Sequence, residues 1–189
     1  MDAIKYKLIK KALASPSQRQ NIINKGTMFL YCDYAGFVSH NDYGAACCAV
    51  YSRTVSITAK KLPIDRDQGS NYGEMQAIVL SLETLSAALL ELRPKIAVIF
   101  TDCSRILRII AQDRFAHPHD EQGRNELLAA LANLNGLFPE VDVQIKYISK
   151  HKKNNYFHRL AHNAAREAAV LPSILASTIM KIGSMHLDL

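Results

Sequence analysis

No apolar run in this chain reaches the ~18–20 residues that a membrane-spanning helix needs. The first residues, MDAIKYKLIKKALASPSQRQ, thread lysines through their apolar positions and lack the uninterrupted core and small-residue cleavage site of a signal peptide. A cytoplasmic protein with no membrane partner is expected. Cysteine is scarce. Cys32, Cys47, Cys48 and Cys103 lack zinc-type pair spacing, and two of them are adjacent, so they read as buried thiols in a reducing compartment. There is no internal repeat and no low-complexity tract. Acids are missing where bases gather. Residues 1–27 hold six lysines and arginines against Asp2 alone, a net +5 of the chain's +6. Lys146, Lys150, Lys152, Lys153, Arg159 and Arg166 form a second run with no acid between Lys146 and Arg166. Two such surfaces point to a polyanionic partner, against the plainer reading of solvated lysines on helix faces.

At 189 residues the chain has room for one core and its extensions. Residues 1–27 read as a basic N-terminal helical extension, with an amphipathic helix over Ala3–Ala14 ended by Ser15-Pro16-Ser17 and a linker at Asn24-Lys25-Gly26. Residues 28–170 read as the main domain, and 171–189 as a helical tail near Ser173–Lys181, a candidate contact for a partner. Strands are expected at Met28–Gly36, Gly44–Tyr51 and Thr54–Lys61, joined by short turns into an antiparallel meander. A polar loop over Pro63–Ser70 and a long helix over Asn71–Leu92 lead to a strand at Lys95–Thr101, parallel to the first. Then come a short helix Ser104–Gln112, a polar loop Asp113–Gly123, a helix Arg124–Asn135, a strand Val141–Ser149 and a helix Asn155–Val170. The order β-β-β-α-β-α-α-β-α is an α/β fold, a mixed five-stranded sheet with three antiparallel and two parallel strands and flanking helices.

Three acids close core elements. Asp33 sits near the end of MFLYCDYAG, Asp102 follows KIAVIFT, and Glu74 opens the long helix. A charged group at the end of a buried strand is costly unless something pairs with it. Carboxylates gathered at one point are reconciled by cations, and magnesium takes oxygen ligands. The plainer readings are a first-turn acid favoured by the helix dipole for Glu74 and a helix cap for Asp102.

The fragments YCDYAG, SNYGEMQAI, FTDCSRI, ISKHKKN and HRLAHNAAREAA, in that order and on those elements, resemble ribonuclease H of type 1 over about Met28–Val170. The resemblance implies a ribonuclease H-like fold and an endonuclease that hydrolyses the RNA strand of RNA/DNA hybrids with two Mg2+ or Mn2+ ions and no small-molecule cofactor. It implies metal ligands at Asp33, Glu74 and Asp102, and a mobile histidine at His151 that aids proton transfer and product release. It places hybrid contacts at Asn71, where a helix N-cap is an equal reading. Hybrid grip would fall to Lys146, Lys150, Lys152 and Lys153, or to the N-terminal helix, because the tryptophan-rich basic handle of the best-known members is replaced by DRFAHPHDEQG, mildly acidic and without tryptophan.

One departure matters. Where the family has a fourth acid, the alanine pattern of the last helix places His162, with Asn163 a one-residue shift away and Glu167 on another face. His158 falls where members carry asparagine or serine. Imidazole ligates only when neutral, adds no negative charge and suits manganese better than magnesium, so the resemblance with this change implies a weak second metal, possession of Mn2+ preference, or reduced activity. Rival readings follow: a degenerate ribonuclease H-like nucleic-acid-binding or scaffold protein that does not cut, or a zinc enzyme built on His158 and His162 with His117, His119 and Asp120. HRLAH lacks the glutamate of a zinc protease motif.

Overall fold

The computed structural model describes residues 2–63, 68–149 and 154–187. Its centre is β1, Thr27–Phe37, which alternates between two cores as a strand's period of two requires. Met28, Leu30 and Cys32 enter one core, while Tyr31 and Ala35 enter the other. β2, Asp42–Tyr51, and β3, Thr54–Lys61, complete the antiparallel meander. β4, Ile96–Thr101, pairs parallel with β1, and β5, Asp142–Tyr147, pairs parallel with β4. The adjacent Cys47 and Cys48 lie in opposite cores, and all four cysteines are free and buried.

The sheet has six strands rather than the expected five, in the order β5-β4-β1-β2-β3-β6. The sixth, β6 at Met180–His186, replaces the expected C-terminal helix, which also removes that helix as a partner surface. Left-handed backbone at Ser177 interrupts any helix there, and the following segment covers the β3 edge antiparallel, with Met185 and Ile182 packed on the second core. The polar loop expected over Asp113–Gly123 is helical from Pro118: α5 is Pro118–Leu137. Proline fits the first helical position, Asp120 and Glu121 suit the first turn, and Gly123 is no breaker because its bare Cα lets Met75 pack against it.

α3, Ser70–Leu89, and α5 cover one face through Met75, Ile78, Leu82, Leu127 and Leu134. The short α4, Ile106–Ala111, lies beside α5. α6, Tyr156–Ala169, covers the other face with Phe157, Leu160 and a run of buried alanines. It comes so close to β2 that a Cβ on Gly44 would collide with the backbone of Ala165 and Ala169.

The N-terminal extension is not an appendage on a linker. α1, Ala3–Ala14, buries Leu8, Ile9 and Ala12 in the α6-side core, and Pro16 starts a second helix, α2, Pro16–Ile23. Lys5 is buried on Asp2 and Glu167 at 2.8 and 2.9 Å, while Lys7, Lys10 and Lys11 stay exposed. Among the described residues, no helix is long and apolar enough to cross a membrane.

Candidate active site

The last parallel pair between β1 and β4 is Tyr31 with Phe100. Asp33 stands two residues beyond it on β1, and Asp102 directly follows β4, so both leave the sheet at the carboxyl ends of its parallel strands, where open α/β sheets form crevices. Asp33 belongs to the odd-numbered series that faces α6 and is 3% exposed. Glu74 comes from the other face, on the second turn of α3. It is past the first turn, so the helix dipole does not explain it, and α4 is capped at Arg105 rather than Asp102. Thr101 Oγ1 donates to Glu74 Oε2 at 3.4 Å and accepts from the Cys103 amide at 3.1 Å. The Tyr34 ring lies against the first turns of α3, where a Cβ on Gly73 would strike it.

α6 brings two imidazoles to the same point. His158 and His162 are one turn apart on one face. Nδ1–H of His162 donates to Asp33 Oδ2 at 2.7 Å, while Nε2 of His158 lies 3.4 Å from Asp33 Oδ1. His162 is exposed, but His158 is 6% exposed and its Nε2 makes no hydrogen bond. Asp33, Tyr34, Glu74, Asp102, His158, Arg159 and His162 line an open cavity of about 380 Å³.

The electrostatics follow from this crowding. Burial pushes the Asp33 carboxyl up, but the two imidazoles outweigh it and hold the group below the usual carboxylate range. Burial, then the Asp102 and Asp33 carboxylates, push Glu74 well above its ordinary value. The hydrogen bond to Asp33 raises the His162 imidazole. The donor set fits a divalent cation: three converging carboxyl groups, one of them raised by burial and by the other two, and a buried imidazole nitrogen without a hydrogen-bond partner. Ligand atoms of Asp33, Asp102 and His158 all lie within 4.8 Å of one another.

Asp33, Glu74, Asp102 and His162 line the same cavity. Glu167 does not; it pairs with Lys5. His151, Lys150, Lys152 and Lys153 lie outside the described residues, and Lys146 is exposed at the end of β5. Asn71 is no helix cap: Gly69 holds that position, and Asn71 Nδ2 donates to Asp120 Oδ2 at 3.1 Å in a separate cavity with His117 and His119. The histidines of the zinc reading therefore line two different cavities. His158 is the residue that sequence reasoning left outside the site. The i, i+4 pair HRLAH was its signal, but only the placement of α6 on β1 shows that the earlier histidine is the buried one.

The RNase H family model matches residues 25–170. No curated protein matches the sequence. Among solved structures, the RNase H1 of the halophilic archaeon Halobacterium salinarum NRC-1 is similar at 17% identity, over 76% of this chain and 97% of that one, with a TM-score of 0.56. The N-terminal RNase H domain of a Mycobacterium tuberculosis protein, solved as a maltose-binding-protein fusion, gives 15%, 77%, 97% and 0.54. LC11-RNase H1 in complex with an RNA/DNA hybrid gives 16%, 75%, 98% and 0.54. At these identities the likeness is one of fold.

Proposed function

The chain belongs to the RNase H family, and on that premise we propose that it is an endonuclease hydrolysing the RNA strand of RNA/DNA hybrids with two divalent ions, Mg2+ or Mn2+. The observation that carries this reading is the meeting of Asp33, Glu74 and Asp102 at the open end of the parallel strands, with Glu74 held above its ordinary pKa by burial and by its two neighbours. Asp33, Glu74, Asp102 and an imidazole of α6 would hold the ions; His162 stands where the family has its fourth acid. Bound there, divalent cations supply charge to offset the carboxylates, polarise the phosphodiester and make water nucleophilic at neutral pH.

The chain's own groups do the rest. His162 fixes one oxygen of Asp33 and so orients the other. Thr101 fixes Glu74. Arg159, exposed on the cavity rim, is placed to pair with a phosphate. Lys146, with Lys150, Lys152 and Lys153, would carry the hybrid's backbone beyond the cavity, Asn71 would touch it from the start of α3, and His151 would serve proton transfer. The similar structure solved with an RNA/DNA hybrid supports that substrate class. The buried thiols suit a reducing compartment, and we place the protein in the cytoplasm.

Purified protein with Mn2+ or Mg2+ is expected to cut RNA in a hybrid and to spare single-stranded RNA and duplex DNA, since recognition needs 2′-hydroxyls on the cut strand only. Asp102→Asn, which removes charge without packing, is expected to abolish cleavage and leave the circular dichroism spectrum unchanged. Cleavage near the wild-type rate by that variant would remove the metal-site assignment. A second reading, a non-cutting hybrid binder, is favoured by the histidine at the fourth acid's place. Hybrid binding without cleavage in either ion would make it the better one.

A further inference from the structure

His158 Nε2 and Asp33 Oδ1 face each other at 3.4 Å with no hydrogen bond between them, at the buried end of a cavity that also holds Asp102. The rest of Asp33 is accounted for, because its Oδ2 takes the His162 proton at 2.7 Å. A buried polar nitrogen without a partner is costly. One cation seated between these two atoms would partner both at once. The ligand atoms of His158, Asp33 and Asp102 lie within 4.8 Å of one another, whereas the His162 nitrogen nearest Asp33, Nδ1, is taken up by the hydrogen bond to Oδ2.

We infer that the imidazole ligand of this centre is His158, through Nε2, and that His162 is a positioning residue that aims Asp33. The inference rests on the proposed metal centre and names which side chain gives it a nitrogen. The position occupied by His158 is one where the family pattern has asparagine or serine, so neither the resemblance nor the fourth-acid alignment assigns it. A buried imidazole alongside carboxylates moves the site away from magnesium and toward the softer divalent transition ions, of which manganese is the weakest binder.

The test uses the full-length protein with Mn2+ alone, read by pulsed electron paramagnetic resonance and by calorimetry. Wild-type protein is expected to show coupling between Mn2+ and a histidine nitrogen, with the pattern changing when histidine is labelled with nitrogen-15. His162→Ala, a change at an exposed ring, is expected to keep that coupling. His158→Asn is expected to lose it and to bind Mn2+ at least about tenfold more weakly, with a smaller loss for Mg2+. If His158→Asn does not fold, the labelled wild type and His162→Ala decide: coupling retained supports the assignment, coupling lost overturns it. Coupling that survives His158→Asn and vanishes in His162→Ala overturns it too, as does Mn2+ bound by oxygen alone or not bound at all. Nitrogen-coupled Mn2+ in a protein that does not cut hybrid leaves the assignment standing and removes the nuclease reading. Hybrid cleavage with oxygen-only Mn2+ does the reverse.

Discussion

Glu74 is held in a place that opposes its charge. It is buried beside Asp102 and Asp33, and its pKa stands well above the usual range for that reason. An acid whose folded pKa exceeds its unfolded value makes the fold take up a proton. The stability of the metal-free protein therefore falls as pH rises from the ordinary glutamate range through the raised value. Glu74→Gln keeps the shape and discards the charge. Its metal-free form is expected to melt above wild type at neutral pH, with the difference closing as pH falls from the raised Glu74 value to the ordinary carboxylate range. A neutral-pH melting temperature equal to or below wild type would show that Glu74 carries no such strain. The carboxylates were legible in the sequence because each interrupts an apolar pattern at the end of a core element. His158 was not, because an i, i+4 pair marks a helix face without saying which of its residues lies deeper. That depth is set by the crossing of α6 over β1, where His158 follows the buried Phe157 and His162 reaches the rim.

α6 does not set its own start. The buried Gln18 of α2 donates through Nε2 to the Asn154 carbonyl at 2.9 Å and accepts the Tyr156 amide on Oε1 at 2.8 Å. Two bonds from one amide side chain fix the backbone just before the turn that carries His158. Asn155 Oδ1 caps the same turn by accepting the His158 amide at 3.0 Å. Gln18→Ala leaves both backbone groups without their partner and is expected to cost about 2 kcal/mol by chemical denaturation. Faster hydrogen exchange of the Tyr156 amide and a fall in kcat larger than the change in KM should accompany that loss. Unchanged Tyr156 exchange would mean that α2 does not position α6. None of this could be read from sequence, since a glutamine in a polar stretch carries no pattern. Elements with a strong period were legible, and β3 at Thr54–Lys61 falls where its alternation places it. Those decided by context were not. Ser15-Pro16-Ser17 ends one helix and begins another, and α5 starts ahead of Gly123 because a proline and two acids favour its first turn. β6 was missed because MKIGSMH carries no sustained alternation, and the open β3 edge that pairs with it is out of view in the sequence.

At the scale of the molecule, both ends of the described chain close on one turn. Between β2 and β3, Ser52 and Arg53 take the left-handed conformation that a tight hairpin requires, without a glycine at either position. The Arg53 amide donates to the Ile22 carbonyl at 2.7 Å, and the Arg53 carbonyl accepts the Leu187 amide at 2.9 Å. Helical extension and last strand thus grip a single residue from opposite directions. Removing residues 178–189 is expected to leave Asp33, Glu74, Asp102 and α6 in place, with the β3 edge bare and its amides and carbonyls unpaired. Such a protein should bind Mn2+ as the intact one does but sediment as concentration-dependent oligomers, and a monomer at all concentrations would show that β6 is dispensable as a cover. The same feature has a meaning during synthesis. Every group that lines the cavity has left the ribosome before β6 has, so the candidate site can form while the sheet still has an open side. In that interval β3 is able to recruit a neighbouring nascent chain, and for this protein the order of translation separates the moment of acquiring its chemistry from the moment of becoming safe from its own copies.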